Sequence, residues 1–112
     1  MNKLIVVYWR DIPAQVIGRE GRRSAFKKVL PQRFQNAIDR AAMRAGRGSS
    51  DAYMADWRRE SRPCPGDLGQ AVNDEATRLE AEFPDSRLDA VARASGIVER
   101  SESDAGAVLR DG

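Results

Sequence analysis

The run LIVVYW at positions 4–9 constrains this chain more than any other feature, because it is apolar on both sides of whatever element it forms. Six aliphatic and aromatic residues in succession are too few for a typical buried helix and suit an extended chain, so residues 3–10 read as a first strand. A side-chain period of two places Leu4, Val6 and Tyr8 on one face and Ile5, Val7 and Trp9 on the other. Both faces then need cover. Either helices wrap both sides of the sheet and Trp9 is a buried plug, or Ile5, Val7 and Trp9 meet a partner, with Trp9 as anchor and Arg10 and Asp11 at the polar rim.

Asp11-Ile12-Pro13-Ala14 supplies turn chemistry, and residues 14–19 return as an antiparallel strand. After the second turn signal at Glu20-Gly21, residues 22–30 read as a third strand, with a lead-in to the next helix as the alternative. From Pro31 onward Phe34, Ala37, Ile38, Ala41 and Ala45 recur at helical spacing, and Gly46 stands where a stop belongs. The opposite face carries a basic stripe in which Arg33, Arg40, Arg44 and Arg47 are candidate anion contacts. Ser49-Ser50-Asp51 should cap a shorter second helix, with Tyr53, Met54 and Trp57 toward the core and Arg58, Arg59 and Arg62 at its C-terminal end. Pro63-Cys64-Pro65-Gly66 breaks the chain, and Asp67 is placed to cap a third helix bearing Leu68, Val72, Ala76, Leu79 and Phe83 on one stripe. Asp85 should cap a short fourth helix through Leu88 and Val91. The expectation is one α+β domain over residues 1–96, a short antiparallel sheet of two or three N-terminal strands followed by three or four helices. Residues 97–112, small, polar and charged, are expected to be a poorly ordered tail.

Charge divides the sequence. Residues 1–62 hold 14 Lys/Arg against 6 Asp/Glu, and residues 63–112 hold 5 against 11, so the two parts carry +8 and −6. The acidic part either neutralises the basic part within the fold or leaves the basic part for an anionic partner. Cys64 is the single cysteine and histidine is absent, which removes intrachain disulfides and any Cys–His chemistry. Carboxylates at Asp74, Glu75, Glu80 and Glu82 read as the solvated face of the third helix rather than an acid–base set. With no glycine-rich phosphate loop either, no catalytic residue, metal site or cofactor is expected. Leu4 to Val7 is too short for a signal-peptide core and no run reaches membrane-spanning length, so the expected location is the cytoplasm.

The segments VVYWRDIPAQVIG, GRRSA, LPQRFQNAIDRAAMRAG and SDAYMADWRR resemble the small bacterial "virulence factor" domain family, and a domain of the conserved virulence factor C proteins. The resemblance is strong over residues 3–62 and extends by pattern over 63–95. It implies a role in virulence for some members and carries over no reaction, ligand or catalytic residue. The leading functional reading is therefore a non-catalytic cytoplasmic accessory or protein-interaction module, contacting a protein partner or a second copy of itself and not a membrane. One rival is a nucleic-acid-binding protein using the arginine-rich segment, although its aromatics are embedded in apolar patterns rather than interleaved with the arginines. Another, resting on the resemblance and on no residue here, is an accessory subunit of a one-carbon (folate or corrinoid) enzyme system.

Overall fold

The LIVVYW run forms β1 (Asn2–Trp9), which lies inside a four-stranded antiparallel sheet rather than at its edge. The computed structural model describes residues 1–98. β2 (Ile12–Glu20) returns along β1, β3 (Arg23–Val29) returns along β2, and β4 (Trp57–Pro63) pairs with the other side of β1, giving the order β3-β2-β1-β4. Residues 22–30 are thus strand and not helix lead-in. The first hairpin turns through Arg10 and Asp11. Arg10 takes a left-handed φ of 54°, which costs a non-glycine residue on the order of 1–2 kcal/mol. Its guanidinium offsets this by bonding Asp56 at 3.2 Å and the Ser95 carbonyl at 3.0 Å. Gly21, with φ 60°, makes the second turn without that penalty.

A bulge interrupts the first hairpin. Val7 pairs with Gln15 but Tyr8 pairs with Pro13, so Ala14 has no partner on β1. Its carbonyl instead accepts the Leu30 N–H at 3.0 Å, tying the end of β3 to the sheet where α1 (Gln32–Arg44) is about to begin. The bulge also explains how Pro13, which has no N–H to donate, is tolerated in an interior strand.

Four strands form where two or three were expected, and the extra one is β4. The second helix, α2 (Ser50–Ala55), ends after six residues, and Trp57 pairs with Trp9. Arg58, Arg59 and Arg62 therefore lie on an edge strand and not at a helix C-terminus. The strand escaped the hydrophobic pattern because it holds its inner side by charge: Arg58, Glu60 and Arg62 alternate along it in ion pairs with Asp11, with one another and with Glu75. Met54, expected in the core, is 63% exposed, while Tyr53 and Trp57 are half-buried against it.

α3 (Leu68–Glu82) lies on the inner face of the sheet, capped as expected by Asp67, whose carboxylate accepts the Gln70 N–H at 2.9 Å. α4 (Asp85–Arg93) packs on α1, and its N-cap position is Pro84, so Asp85 sits in the first turn instead of capping through its side chain. One core cluster joins Leu4, Val6, Trp9, Ile12 and Val16 of the sheet to Phe34 and Ile38 of α1, Val72 and Leu79 of α3, and Leu88 and Val91 of α4. Packing reaches past the expected boundary at Gly96, since the Val98 N–H donates to Asp11 Oδ2 at 2.8 Å. The rest of the expected tail, 99–112, lies outside the described residues.

α3 approaches the sheet closely at Gly18, where an added Cβ would meet Leu68 Cγ and Val72 Cγ2 at 2.8 Å. Gly18→Ala should therefore overpack this layer and lose about 1–3 kcal/mol. A urea titration checks it, with the midpoint falling and the slope unchanged.

Candidate functional site

Each face of the sheet presents a distinct surface. On the inner side, β4 meets α3 through charge. Glu75 is only 5% exposed, and it accepts Arg78 Nη2 at 2.6 Å, Arg78 Nε at 3.1 Å and Arg62 Nη2 at 3.2 Å. The bond from Arg78 does most to hold its carboxyl below the usual carboxylate range, with Arg62 adding to it against the opposing effect of burial. The Arg78 guanidinium is correspondingly raised, first by its hydrogen bond to Glu75. Arg58 donates from Nε to the Arg10 carbonyl at 2.8 Å and from Nη2 to Asp11 at 3.2 Å. Its guanidinium also lies 4.5 Å from the Tyr8 ring centroid. Burial raises the Tyr8 phenol, with Glu60 and Glu75 pushing the same way. A cleft of about 290 Å³ opens here among Tyr8, Asp11, Glu60, Arg78 and Arg87. Its carboxylates are already engaged by arginines or backbone N–H groups, so the arrangement clamps β4 onto α3 and holds no base beside a nucleophile.

The arginines of the basic stripe bond other parts of the chain. Arg33 donates to the Phe83 carbonyl, and to the Glu80 carbonyl at 3.2 Å, filling acceptors left open at the end of α3. Arg44 Nε does the same for the Arg93 carbonyl of α4 at 2.9 Å. Arg40 pairs with Asp89 at 2.9 Å, and Arg47 with Asp56 at 3.0 Å. Arg10 and Asp11 do not pair with each other. Arg10 reaches Asp56, and Asp11 reaches Arg58 and Val98, so this turn joins the sheet to the chain on either side.

On the outer side Ile5, Val7 and Ile17 form a second apolar cluster, buried at 4–8% exposure, with the partly buried Trp57 packed against it. Trp9 does not join them. The bulge interrupts the pairing of β1 with β2 and adds local twist, and both Tyr8 and Trp9 pack with the main core. Trp9 is wholly buried there, its Nε1 donates to the Tyr53 carbonyl at 2.8 Å, and its ring stacks on Tyr53 at 5.9 Å. The expected grouping of Ile5 and Val7 on one face holds, therefore, but without Trp9.

Register places the neighbours of this cluster. Lys3 stands across from Arg19, Ile17 across from Lys27, Val7 across from Arg59, and Gln15 across from Val29. Lys3, Arg19, Lys27 and Arg59 enter no ion pair among the described residues. At the end nearer α2, a cleft of about 300 Å³ opens between Val7, Gln15, Met54, Trp57 and Arg59. Val29 and Met54, at 64% and 63% exposure, flank the surface.

The family described as Virulence factor matches residues 7–92, from the second half of β1 to the last turn of α4. The chain belongs to the virulence factor family. No curated protein and no solved structure matches it. The family match takes in the bulge, the β4–α3 clamp and the outer-face residues from Val7 onward, while Lys3 and Ile5 precede it. Sequence reasoning found Ile5 and Val7 but missed Lys27, Val29, Met54, Trp57 and Arg59 as their neighbours. The alternating charges at Arg58, Glu60 and Arg62 were the signal that would have placed the last two on a strand.

No helix among the described residues is long and apolar enough to cross a membrane. Glu75 gives a pH prediction. Its carboxyl is depressed in the folded protein, so its stabilisation is fully present above the unfolded value near ~4.3 and is lost as pH falls through the lower folded value. Glu75→Gln should cost about 1–3 kcal/mol at neutral pH. The gap from the wild type should shrink as the solution is acidified from pH 5 to about 2, read from denaturant midpoints at each pH.

Proposed function

We propose that this virulence factor family domain is a non-catalytic, cytoplasmic accessory module that binds a protein partner through the outer face of its sheet. The observation that carries the reading is the contrast between the two sides. Inner-side cations are engaged by carboxylates and helix-end carbonyls, whereas on the outer side the exposed side chains of Val29 and Met54 flank a cleft of about 300 Å³, near Lys3, Lys27 and Arg59, which enter no ion pair among the described residues. An apolar centre with a polar rim is the anatomy of a protein interface. Val7 lines the cleft, and Met54, unbranched and adaptable, walls it as methionine does on many binding surfaces.

The face is favoured over the sheet edges. β3 and β4, which form the edges, carry Arg23, Lys27 and Lys28, and Arg58, Arg59, Arg62 and Pro63 respectively. Charge and proline on an edge oppose pairing with a further strand. The nucleic-acid reading loses its support because Arg33, Arg40, Arg44 and Arg47 are engaged within the chain.

Position-specific photocrosslinking in living cells tests the proposal. A crosslinking residue at Val29 or Met54 should yield a discrete protein adduct, and one at Met43, which is 72% exposed on α1, should yield none. Adducts from Met43 but not from Val29 or Met54 would place the interface elsewhere.

A further inference from the structure

We infer that the cleft beside β4 receives an extended segment of another protein in which an acidic residue stands two places before an aromatic one and an aliphatic residue two places after it. The aromatic ring enters the cleft over Val7, the carboxylate meets Arg59, and the aliphatic side chain rests on Val29. This deepens the interaction-module reading and rests on it.

Strand register sets the floor. Val29 pairs with Gln15, Gln15 with Val7, and Val7 with Arg59, so these four residues form one row straight across the sheet on its outer side. Val7 is buried at the bottom, while the two ends of the row, Val29 and Arg59, are exposed. Met54 and Trp57 complete the cleft around Val7, Gln15 and Arg59. Ile5 and Ile17, buried alongside, take no part. The chemistry of the lining then selects the occupant. A thioether, an indole and a guanidinium are each favourable neighbours of an aromatic ring. Arg58 also lines the cleft, but its guanidinium is committed to Asp11 and Glu60. Arg59 enters no ion pair among the described residues. The described lining residues include no carboxylate, so the charge that complements Arg59 has to come with the occupant.

Dimensions favour an extended chain. Arg59 and Val29 lie three strand spacings apart, roughly 14 Å. An extended segment advances about 3.3 Å per residue and turns alternate side chains to one face, so residues i, i+2 and i+4 cover roughly 13 Å. They fall at Arg59, at the cleft and at Val29 in turn. The cleft, at about 300 Å³, stands at the lower limit of small-molecule pockets and suits a single large side chain. A second copy of this chain does not supply the segment. An acidic residue precedes an aromatic by two places only at Asp51 and Tyr53, and Tyr53 is stacked on Trp9 within the fold. A nucleic acid strand also couples rings to negative charge, but it needs a line of cations for successive phosphates, and this row ends on Val29.

The test titrates the full chain, its methionine methyls isotope-labelled for NMR, with short blocked peptides. The parent peptide carries glutamate, phenylalanine and leucine at alternate positions with serine between them. One counterpart has lysine for the glutamate, and another has alanine for the phenylalanine. The parent should shift the Met54 methyl and leave that of Met43, exposed on α1, in place. Losing the phenylalanine should weaken binding about thirtyfold, and exchanging the glutamate for lysine about tenfold. The second difference should shrink as salt rises. Arg59→Glu, at an exposed position and checked for folding by circular dichroism, should reverse the preference between the glutamate and lysine peptides, and Arg59→Lys should keep it. No shift of Met54 up to about 10 mM parent peptide, equal binding of the three peptides, or an unchanged preference in Arg59→Glu would overturn the inference. Tighter binding of single-stranded DNA, or a Met54 shift on concentrating the chain alone, would overturn it as well. Crosslinking from Val29 and Met54 separates this failure from that of the underlying reading. Adducts there beside a negative titration leave the face a protein interface with a different anchor, and the absence of both removes the face itself.

Discussion

Pairing of β1 between β2 and β4 is the interaction on which the rest of the structure depends. β1 is an interior strand, hydrogen-bonded along both sides, and it is apolar on both faces from Leu4 to Val7. One of those faces gives Leu4 and Val6 to the core shared by α1, α3 and α4. The other gives Ile5 and Val7 to the small cluster on the opposite side. The bulge at Ala14 hands that residue's carbonyl to Leu30, and the strand ends with Trp9 in the main core. Core, chain reversal and outer surface thus follow from one eight-residue strand and one inserted residue.

Those parts of the fold governed by apolar periodicity were legible in the sequence. Phe34, Ala37, Ile38 and Ala41 line α1, and Leu68, Val72, Ala76 and Leu79 line α3, as their spacing required. β4 was not legible, because an edge strand held by alternating arginine and glutamate has no hydrophobic period and its first residues continue the pattern of α2. Trp9 is the buried plug of one of the two expected readings and not the partner anchor of the other. A strict period of two carries no information about the bulge in β2. Met54 and Arg59, the walls of the outer cleft, become neighbours of Val7 only once β4 is known to pair with β1.

The division of charge along the sequence resolves into two uses. Asp85, Asp89 and Glu75 of the acidic half meet Arg33, Arg40 and Arg62 of the basic half. The exposed pairs Arg33–Asp85 and Arg40–Asp89 contribute little individually, on the order of 0–1 kcal/mol, whereas Arg62 meets the buried Glu75. Their structural consequence is larger than their energy, since they align α4 with α1 and β4 with α3. Lys3, Lys27 and Arg59, which enter no ion pair among the described residues, lie on the outer face of the sheet, so the functional reading depends on that face being reachable from solvent in the full chain.

Methyl NMR with a soluble gadolinium chelate measures that directly. The account predicts that the methyls of Val29 and Met54, at 64% and 63% exposure, are broadened at chelate concentrations that leave Ile12, Val16 and Ile38 sharp, since the latter three have essentially no exposed surface. Protection of Val29 and Met54 equal to that of Ile12 and Ile38 would mean that the chain covers its own outer face, and would contradict the account.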